Sequence, residues 1–281
     1  MTTQYECIPC FVRQASEALA ILVENGVERE RLMRQLLGEI SVNDWRGSPP
    51  VMAQHLHRII RQATKNKDPY SSVKNEMNRI AEGMMSRMRE MIRKSENPRE
   101  LAVRLAIAGN LLDSGAKTQI SKEELPQHMD KLLAQPLRGN AMTLFQKAEH
   151  TSKILYLADN AGEIYFDRLL IEMLPPGKVT FAVRGGPVVN DATMEDAKRA
   201  GIAEIARVIS NGSDAPGTIL DDTSSEFRLC FGQADMIIAK GQGNYETLSG
   251  RSRKICFMLT VKCPVIARHI GEPVGSMVIK M

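Results

Sequence analysis

Three short apolar segments of this chain end abruptly in polar residues and glycines that could do chemistry. They lead into Asp159-Asn160-Ala161-Gly162-Glu163, into Arg184-Gly185-Gly186-Pro187 followed by Asn190-Asp191, and into Lys240-Gly241-Gln242-Gly243-Asn244. Short apolar runs between turn signals are typical of buried strands. Ligands of open α/β sheets bind beyond the carboxyl ends of such strands. The pattern therefore predicts one site for metal and phosphate chemistry at the ends of several parallel strands.

The acids and amides at two of these strand ends are candidate metal ligands. Carboxylate and amide oxygens suit Mg²⁺ or Mn²⁺, which makes Asp159, Asn160 and Asp191 the candidate set. Each could instead cap a helix, because Asp and Asn are favoured at helix N-termini. Two acid-amide pairs at neighbouring strand ends favour the metal interpretation. Glu163, four residues after Asp159, could point to the same side of the following helix, and we expect it to contact the substrate or its phosphate.

The glycine-rich segment and two further cations are candidate phosphate ligands. In the segment from Lys240 to Asn244, glycines let backbone N–H groups approach an anion, and the start of a helix favours negative charge. Neither a Walker motif nor a dinucleotide-binding glycine motif is present. Lys262, after the apolar run 255–261, either neutralises a phosphoryl group or is a solvated loop lysine. Arg184 either bridges to a phosphate or forms a surface salt bridge.

The elements that must position these residues change in type along the chain. Helical spacing of apolar residues predicts helices over 11–22, 31–37, 51–63, 73–94 and 99–112. After about residue 153, strands are predicted at 153–158, 178–183, 205–209, 235–239, 255–261 and 274–279. Between the first strands we expect a helix over 162–174 and another that begins at Asn190 or Asp191. The chain is therefore predicted to be α/β, with a helical region over 1–150 packed on a mostly parallel sheet over 151–281.

Composition excludes several classes of protein. A net charge of +4 and 5% aromatic residues over 281 residues are poor material for nucleic-acid binding. No apolar run approaches the ~20 residues of a membrane span, and the start of the chain lacks the features of a signal peptide. Five cysteines do not resemble a disulfide framework, so we expect a cytoplasmic protein with reduced thiols. Cys7 and Cys10 have the spacing of a redox or zinc pair, but no second such pair completes a zinc site.

In their order along the chain, these motifs resemble those of the metal-dependent damage-control phosphatases, a family long filed as domain of unknown function 89. The match is to the short stand-alone branch found in archaea and bacteria. The residues that carry the resemblance are Cys7-Ile8-Pro9-Cys10, Asp68-Pro69-Tyr70, Gly109-Asn110 with Asp113, Asp159 to Glu163, Gly185-Gly186-Pro187 with Asn190 to Thr193, and Lys240 to Glu246.

The resemblance implies a helical N-terminal region on a three-layer α/β/α core and the hydrolysis of phosphate monoesters. The implied substrates are small phosphorylated metabolites, such as sugar phosphates or damaged cofactor intermediates, so the implied role is metabolite repair. Asp159, Asn160 and Asp191 match the catalytic ligands of a divalent metal, namely manganese, cobalt, nickel or magnesium. The segment Gln242 to Glu246 would contact substrate. Lys262 matches a phosphate-binding lysine, although Leu259 replaces the arginine of that motif.

Other interpretations stay open at this stage. One is a carboxyl methyltransferase that uses S-adenosylmethionine, and another is a non-catalytic protein that binds a metabolite. In a phosphatase, either water or Asp159 could attack phosphorus, and we favour water because one carboxylate cannot easily be both nucleophile and tight ligand. The sequence makes no prediction about oligomeric state, and no membrane or nucleic-acid partner is expected.

Overall fold

The computed structural model describes residues 1–109 and 125–281, in which a seven-stranded sheet lies between layers of helices. The strands are β1 (Leu137–Arg138), β2 (Ile154–Leu157), β3 (Val179–Val183), β4 (Arg207–Ser210), β5 (Met236–Lys240), β6 (Ile255–Thr260) and β7 (Met277–Lys280). The helices are α1 (Ile8–Leu22), α2 (Gly26–Val42), α3 (Pro49–Thr64), α4 (Ser71–Lys94), α5 (Pro98–Ala108), α6 (Leu125–Leu133), α7 (Ala141–Glu149), α8 (Glu163–Ile171), α9 (Met194–Arg199), α10 (Ser225–Gln233), α11 (Gly241–Leu248) and α12 (Pro264–Ile270).

The sheet has the strand order β1-β7-β6-β5-β2-β3-β4 and is parallel except where β7 runs against β6. Strand β2, in the interior of the sheet, is buried throughout and pairs with β3 on one side and β5 on the other. Strands buried on both faces read as continuous apolar runs, which is how the sequence signalled them. The α/β fold with a mostly parallel sheet is therefore confirmed.

Each face of the sheet carries its own hydrophobic core. Tyr156 of β2 faces a core shared with α4, α5, α7 and α8, whereas Leu155 faces a core shared with α10, α11 and α12. The two residues are neighbours in sequence and point to opposite faces because side chains alternate along a strand. The result is the three-layer α/β/α arrangement that the resemblance implies.

The first three helices form a separate unit, which we call the N-terminal cap. Helices α1, α2 and α3 share a core that includes Phe11, Leu36 and Ile60. The cap is tied to the rest of the molecule by Gln54 of α3, whose amide donates to Asp214 Oδ1 at 2.7 Å. The predicted helical region thus has two parts, a cap and the sheet-covering helices α4 and α5. None of the described helices is long and apolar enough to span a bilayer.

Most predicted elements are present, although the bounds of several helices differ from those predicted. The helix predicted over 162–174 is α8, which ends at Ile171. The prediction that the next helix begins at Asn190 or Asp191 was wrong: α9 begins at Met194 with Thr193 as its N-cap. Thr193 and Asp196 form a capping box, in which Asp196 Oδ2 accepts from the Thr193 N–H at 2.9 Å.

Two other predictions are not decided by these elements. The proposed boundary near residue 150 stays a prediction, although β1, from the first of the two segments, pairs with β7 in the sheet. The motif predicted at Asn110 and Asp113 lies outside the described residues.

Candidate active site

A short backbone bridge brings the predicted metal ligands together. The segments that follow β2 and β3 pair at Asn160 and Asp191 in an isolated antiparallel bridge. The Ala192 N–H donates to the Asp159 carbonyl at 2.8 Å, and the Ala161 N–H donates to the Asn190 carbonyl at 2.9 Å. Each of Asp159, Asn160 and Asp191 is no more than 7% exposed. The three side chains that the sequence placed at separate strand ends therefore share one buried location.

This location is the switch point of the sheet. From β2 the chain continues to β3 and β4 on one side, whereas β5 adds to the opposite side of β2. Ligands of open α/β sheets bind where the strand order reverses in this way. Gly241, directly after β5, lies against the Asp159 carboxylate, and a Cβ at this position would overlap that carboxylate. Its φ of +79° also favours glycine.

The carboxylates of the site are crowded. The Asn160 Nδ2 donates to Asp159 Oδ2 at 2.9 Å and to Glu163 Oε2 at 3.0 Å, so the amide oxygen points away from both acids. Burial, followed by the nearby Glu163 and Asp191 carboxylates, raises the pKa of Asp159 well above its usual range. A divalent cation would relieve this crowding, and the carboxylate and amide oxygens are the donors such a cation prefers. The donor set therefore fits a divalent metal.

That donor set is small. Within residues 1–109 and 125–281, no group of three or more His, Cys, Asp and Glu side chains is arranged to hold a metal ion. The candidate centre consists instead of two carboxylates and one amide, those of Asp159, Asp191 and Asn160. This composition favours hard cations over zinc, which prefers nitrogen and sulfur ligands.

Arg184 adopts neither of the two roles predicted for it. It is buried, and its Nε donates to Asp191 Oδ2 at 2.6 Å, while its Nη2 lies 3.9 Å from Asp159 Oδ1. Its Nη1 reaches the Asn244 Oδ1 at 3.3 Å. It does not line the cavity described below. Arg184 is therefore a buried partner that orients Asp191, rather than a surface ion pair or a phosphate ligand.

Lys240 was predicted to bind phosphate, and the structure places it elsewhere. Its ammonium is fully buried and donates at 2.6 Å to each of three acceptors: the Ala106 carbonyl, Glu163 Oε1 and Asp167 Oδ1. Burial opposes its charge, yet Asp167 and Glu163 together raise the pKa of Lys240 above its ordinary value. Because all three donors of its ammonium are engaged, Lys240 does not fit the predicted contact with phosphate. Glu163 does not fit it either, because its buried carboxylate contacts Lys240 and Asn160.

Asp167 completes this inner cluster. Burial raises the pKa of Asp167 to about 6, against the opposing effect of Lys240. Its Oδ1 also accepts a hydrogen bond from the Tyr156 hydroxyl at 2.7 Å, whereas its buried Oδ2 has no hydrogen-bond partner among the described residues. We call Tyr156, Glu163, Asp167 and Lys240 the inner cluster, since they lie beneath the candidate metal centre and away from solvent.

The glycine-rich segment divides between two environments. Gly241 and Asn244 are buried, and the Asn244 Nδ2 donates to the Ala158 carbonyl at 3.1 Å and to the Lys240 carbonyl at 2.7 Å. Gln242 and Gly243, by contrast, line an open cavity. Gln242 and Gly243 are therefore accessible to a molecule in the cavity. Gly241 and Asn244 are not, and Asn244 instead stabilises the backbone around the end of β5.

A cavity of about 260 Å³ lies directly over the candidate metal centre. Its floor and one wall come from the sheet edge and its opposite wall comes from the N-terminal cap. The sheet side contributes Asp159, Asn160, Asn190, Asp191, Gln242, Gly243, Glu246 and Lys262, and the cap contributes Glu6, Cys7, Cys10, Phe11, Arg13, Gln14, Pro49, Pro50 and Ala53.

Gln242 organises the rim of this cavity near Lys262. Its Oε1 accepts from the Lys262 N–H at 3.1 Å, and its Nε2 donates to Glu246 Oε1 at 2.8 Å. Burial raises the pKa of Glu246 to about 7, which Gln242 partly opposes. The exposed Lys262 side chain therefore extends from a backbone position that the Gln242 side chain holds in place.

Sequence reasoning missed several residues of the site. Asp167 had a usable signal, because it lies four residues after Glu163 and so on the same face of α8. The hydrogen bond between Arg184 and Asp191 had a weaker signal, namely that the two residues lie on either side of one turn. The cap residues had none, since their approach to the sheet edge depends on tertiary packing.

Comparisons with known proteins agree with this geometry. A model of the damage-control phosphatase ARMT1-like domain matches residues 3–278. A damage-control phosphatase of Pyrococcus horikoshii is 36% identical, covering 99% of this chain and 97% of that protein. Another damage-control phosphatase, of Archaeoglobus fulgidus, is 37% identical over 82% of this chain and 81% of its own length. The crystal structure of a Pyrococcus horikoshii protein of the DUF89 family superposes with a TM-score of 0.90 at 34% identity, covering 99% of this chain and 98% of that one.

Proposed function

The chain belongs to the damage-control phosphatase family with the ARMT1-like domain, and we propose that it is a metal-dependent phosphatase of small metabolites. The observation that carries the proposal is the convergence of Asp159, Asn160 and Asp191 at the floor of a cavity that also presents Lys262. Acids for a cation and a lysine for a phosphoryl group are the complementary halves of a phosphate-ester site.

Asp159, Asn160 and Asp191 would hold manganese, cobalt, nickel or magnesium. The bound cation would supply Lewis-acid stabilisation of the phosphoryl oxygens. Arg184 keeps the Asp191 carboxylate in a fixed orientation through its 2.6 Å hydrogen bond. Asn160 holds the Asp159 carboxylate in the same way at 2.9 Å. Arg184 and Asn160 therefore preorganise the two carboxylates before any substrate arrives.

Lys262 is the group that would balance charge on the transferring phosphoryl group. Its side chain is exposed and lines the cavity, in contrast to that of Lys240. Donors fixed in advance at the position where charge develops are among the largest contributors to catalysis. Gly243 allows two parts of the cavity lining to approach each other, because a Cβ there would overlap the Pro216 carbonyl.

We propose water, rather than Asp159, as the nucleophile. The Asp159 carboxylate is buried, accepts a hydrogen bond from Asn160 and lies against Gly241. These contacts leave little freedom for the carboxylate to reach phosphorus and form a covalent intermediate. A phosphoenzyme is therefore not expected to accumulate during turnover.

The cavity limits the substrate class. A volume of about 260 Å³ is suited to a small phosphorylated metabolite, such as a sugar phosphate or a damaged cofactor intermediate. No observation favours the carboxyl methyltransferase or the non-catalytic alternative, and the two relatives whose names state an activity are damage-control phosphatases.

The test is hydrolysis of p-nitrophenyl phosphate by metal-stripped protein to which Mn²⁺, Co²⁺, Ni²⁺ or Mg²⁺ is added singly. We expect turnover with at least one of them and almost none in their absence. Asp191→Ala should lower kcat/KM by about 10³-fold, which corresponds to roughly 4 kcal/mol. The matched control is Asp130→Ala on α6, an exposed aspartate that pairs with Arg87. Metal-independent turnover, or an unaffected Asp191→Ala, would refute the proposal.

A further inference from the structure

Three of the five cysteines line the cavity, although the proposed hydrolysis uses none of them. Cys7 and Cys10 come from the start of the cap, and Cys263 comes from the loop after β6. All three are free thiols of intermediate exposure. Cys230 is also half-buried but lies on α10, outside this cavity. The clustering of thiols at the cavity therefore calls for an explanation beyond the filling of a core.

We propose that Cys7 and Cys10 form a reactive dithiol at the mouth of the cavity, which undergoes thiol–disulfide exchange with small disulfides and closes to a Cys7–Cys10 disulfide. This modification site is independent of the proposed phosphatase activity. It differs from a zinc site, for which the described residues provide no suitable group.

The geometry of the first helical turn permits this bond. Cys7 has helical backbone angles (φ −78°, ψ −21°) and caps α1, in which Cys10 is the third residue. Residues three apart on a helix have Cβ atoms about 5–6 Å apart, whereas a disulfide requires about 3.5–4.5 Å. Closing the bond thus requires a modest tightening of one turn. That turn also leads into Phe11, which lines the same cavity.

The surroundings of the two thiols assign them different roles. The Arg13 Nη2 donates a hydrogen bond to the Cys10 Sγ at 3.4 Å, so a guanidinium lies beside this sulfur when it attacks. Cys7 has the opposite environment, because burial and the Glu246 carboxylate both raise the pKa of its thiol. Cys10 is therefore the attacking thiol, and Cys7 is the resolving thiol.

Cys263 is the less suitable partner for either thiol. It belongs to a different element, and its Sγ accepts a weak hydrogen bond from Gln242 at 3.7 Å. Pairing with Cys263 would link the cap to the sheet edge through the loop that carries Lys262. Cys7 and Cys10, by contrast, share one turn of one helix.

The exchange balances without any further reactant. The Cys10 thiolate attacks one sulfur of a small disulfide, a mixed disulfide forms, and the first small thiolate leaves and takes up a proton. The Cys7 thiol then loses its proton and attacks the Cys10 sulfur, which releases the second small thiolate. In the net reaction the two cysteines lose two electrons and two protons, and one disulfide is reduced to two thiols.

The experiment treats the full-length reduced protein with glutathione disulfide, blocks the remaining thiols and digests with trypsin. Because the first basic residue is Arg13, both cysteines lie in the single peptide 1–13, whereas Cys230 and Cys263 lie in other peptides. We expect peptide 1–13 to lose two hydrogens and to become resistant to alkylation until a reductant is added. In Cys7→Ser, a glutathione adduct should persist on Cys10. Cys230→Ser is the matched control and should behave as wild type.

Three outcomes would overturn the proposal. The first is a peptide 1–13 that stays fully alkylated at every ratio of glutathione disulfide to glutathione. The second is a cross-link between peptide 1–13 and the peptide that contains Cys263. The third is a persistent glutathione adduct on the wild-type protein equal to that on Cys7→Ser, because Cys7 would then not resolve it.

Discussion

Two lysines that follow neighbouring strands have opposite surroundings. Lys240 ends β5, is fully buried and donates to Glu163 and Asp167. Lys262 follows β6, is exposed and lines the cavity. The sequence presents both as a lysine at the end of an apolar run. What separates them is the helix α8, whose acids reach the end of β5. A lysine at this edge of the sheet therefore either lines the cavity or supports the groups that do.

The candidate metal centre and the inner cluster form two levels, one above the other. The inner cluster places one ammonium, that of Lys240, between the two buried carboxylates of Glu163 and Asp167. The outer level contains Asp159 and Asp191, which line the cavity. Glu163 connects the levels, since its two carboxylate oxygens contact the Lys240 Nζ at 2.6 Å and the Asn160 Nδ2 at 3.0 Å.

The largest expected effect is on stability, from Lys240→Met. This change leaves Glu163 and Asp167 buried without their cation, and breaking a buried ion pair in this way typically costs about 3–5 kcal/mol. We expect the free energy of unfolding in urea to fall by that amount. If Lys240→Met were as stable as wild type yet inactive, Lys240 would belong with the substrate-contacting residues and the distinction between the two lysines would fail.

Lys262→Met should have the reverse signature. Removing one preorganised group that stabilises developing charge typically lowers turnover by about 10²–10³-fold, while a change at an exposed position shifts stability by about 0.5 kcal/mol or less. Steady-state kinetics and urea denaturation of the same preparation measure both quantities. Lys147→Met on α7, also an exposed lysine, is the matched control. Wild-type turnover in Lys262→Met would remove it from the site.

A smaller effect is expected from Gly241→Ala, which tests the contact between β5 and the outer level. An alanine at positive φ costs about 1–2 kcal/mol, and the new methyl group would also overlap the Asp159 carboxylate. Gly250→Ala is the matched control, because Gly250 has φ +80° with open space around its Cβ position. We expect Gly241→Ala to lose more stability than Gly250→Ala. Equal losses of stability would mean that the overlap with the Asp159 carboxylate does not contribute to the effect of Gly241→Ala.

The sequence was sufficient for the sheet, and for the meeting of Asp159, Asn160 and Asp191 at one edge of it, because both depend on local pattern. That these residues bind a metal stays a prediction. Apolar runs that end in polar residues marked the strands, and parallel strands necessarily bring their carboxyl ends to one edge. The prediction that Asn190 or Asp191 begins a helix was wrong because the capping box at Thr193 and Asp196 provides a better start.

The remaining errors have a common cause in long-range packing. The burial of Lys240 depends on α8 and on the Ala106 carbonyl, which is 134 residues away in the chain. The wall of the cavity formed by the cap depends on α1 and α3, whose sequences do not indicate that they pack against the sheet edge. The sequence shows which residues lie at the end of a strand, but it does not show which of them another element will cover.

The most direct test of the account is a Mn²⁺ titration of the metal-stripped protein, followed by electron paramagnetic resonance. Wild type should bind Mn²⁺, and Asp159→Asn should bind it at least about tenfold more weakly, because an anionic ligand of the outer level is lost. Asp167→Asn, which alters only the inner cluster, should keep wild-type affinity. Unchanged affinity in Asp159→Asn, or a loss confined to Asp167→Asn, would contradict the assignment of the metal centre.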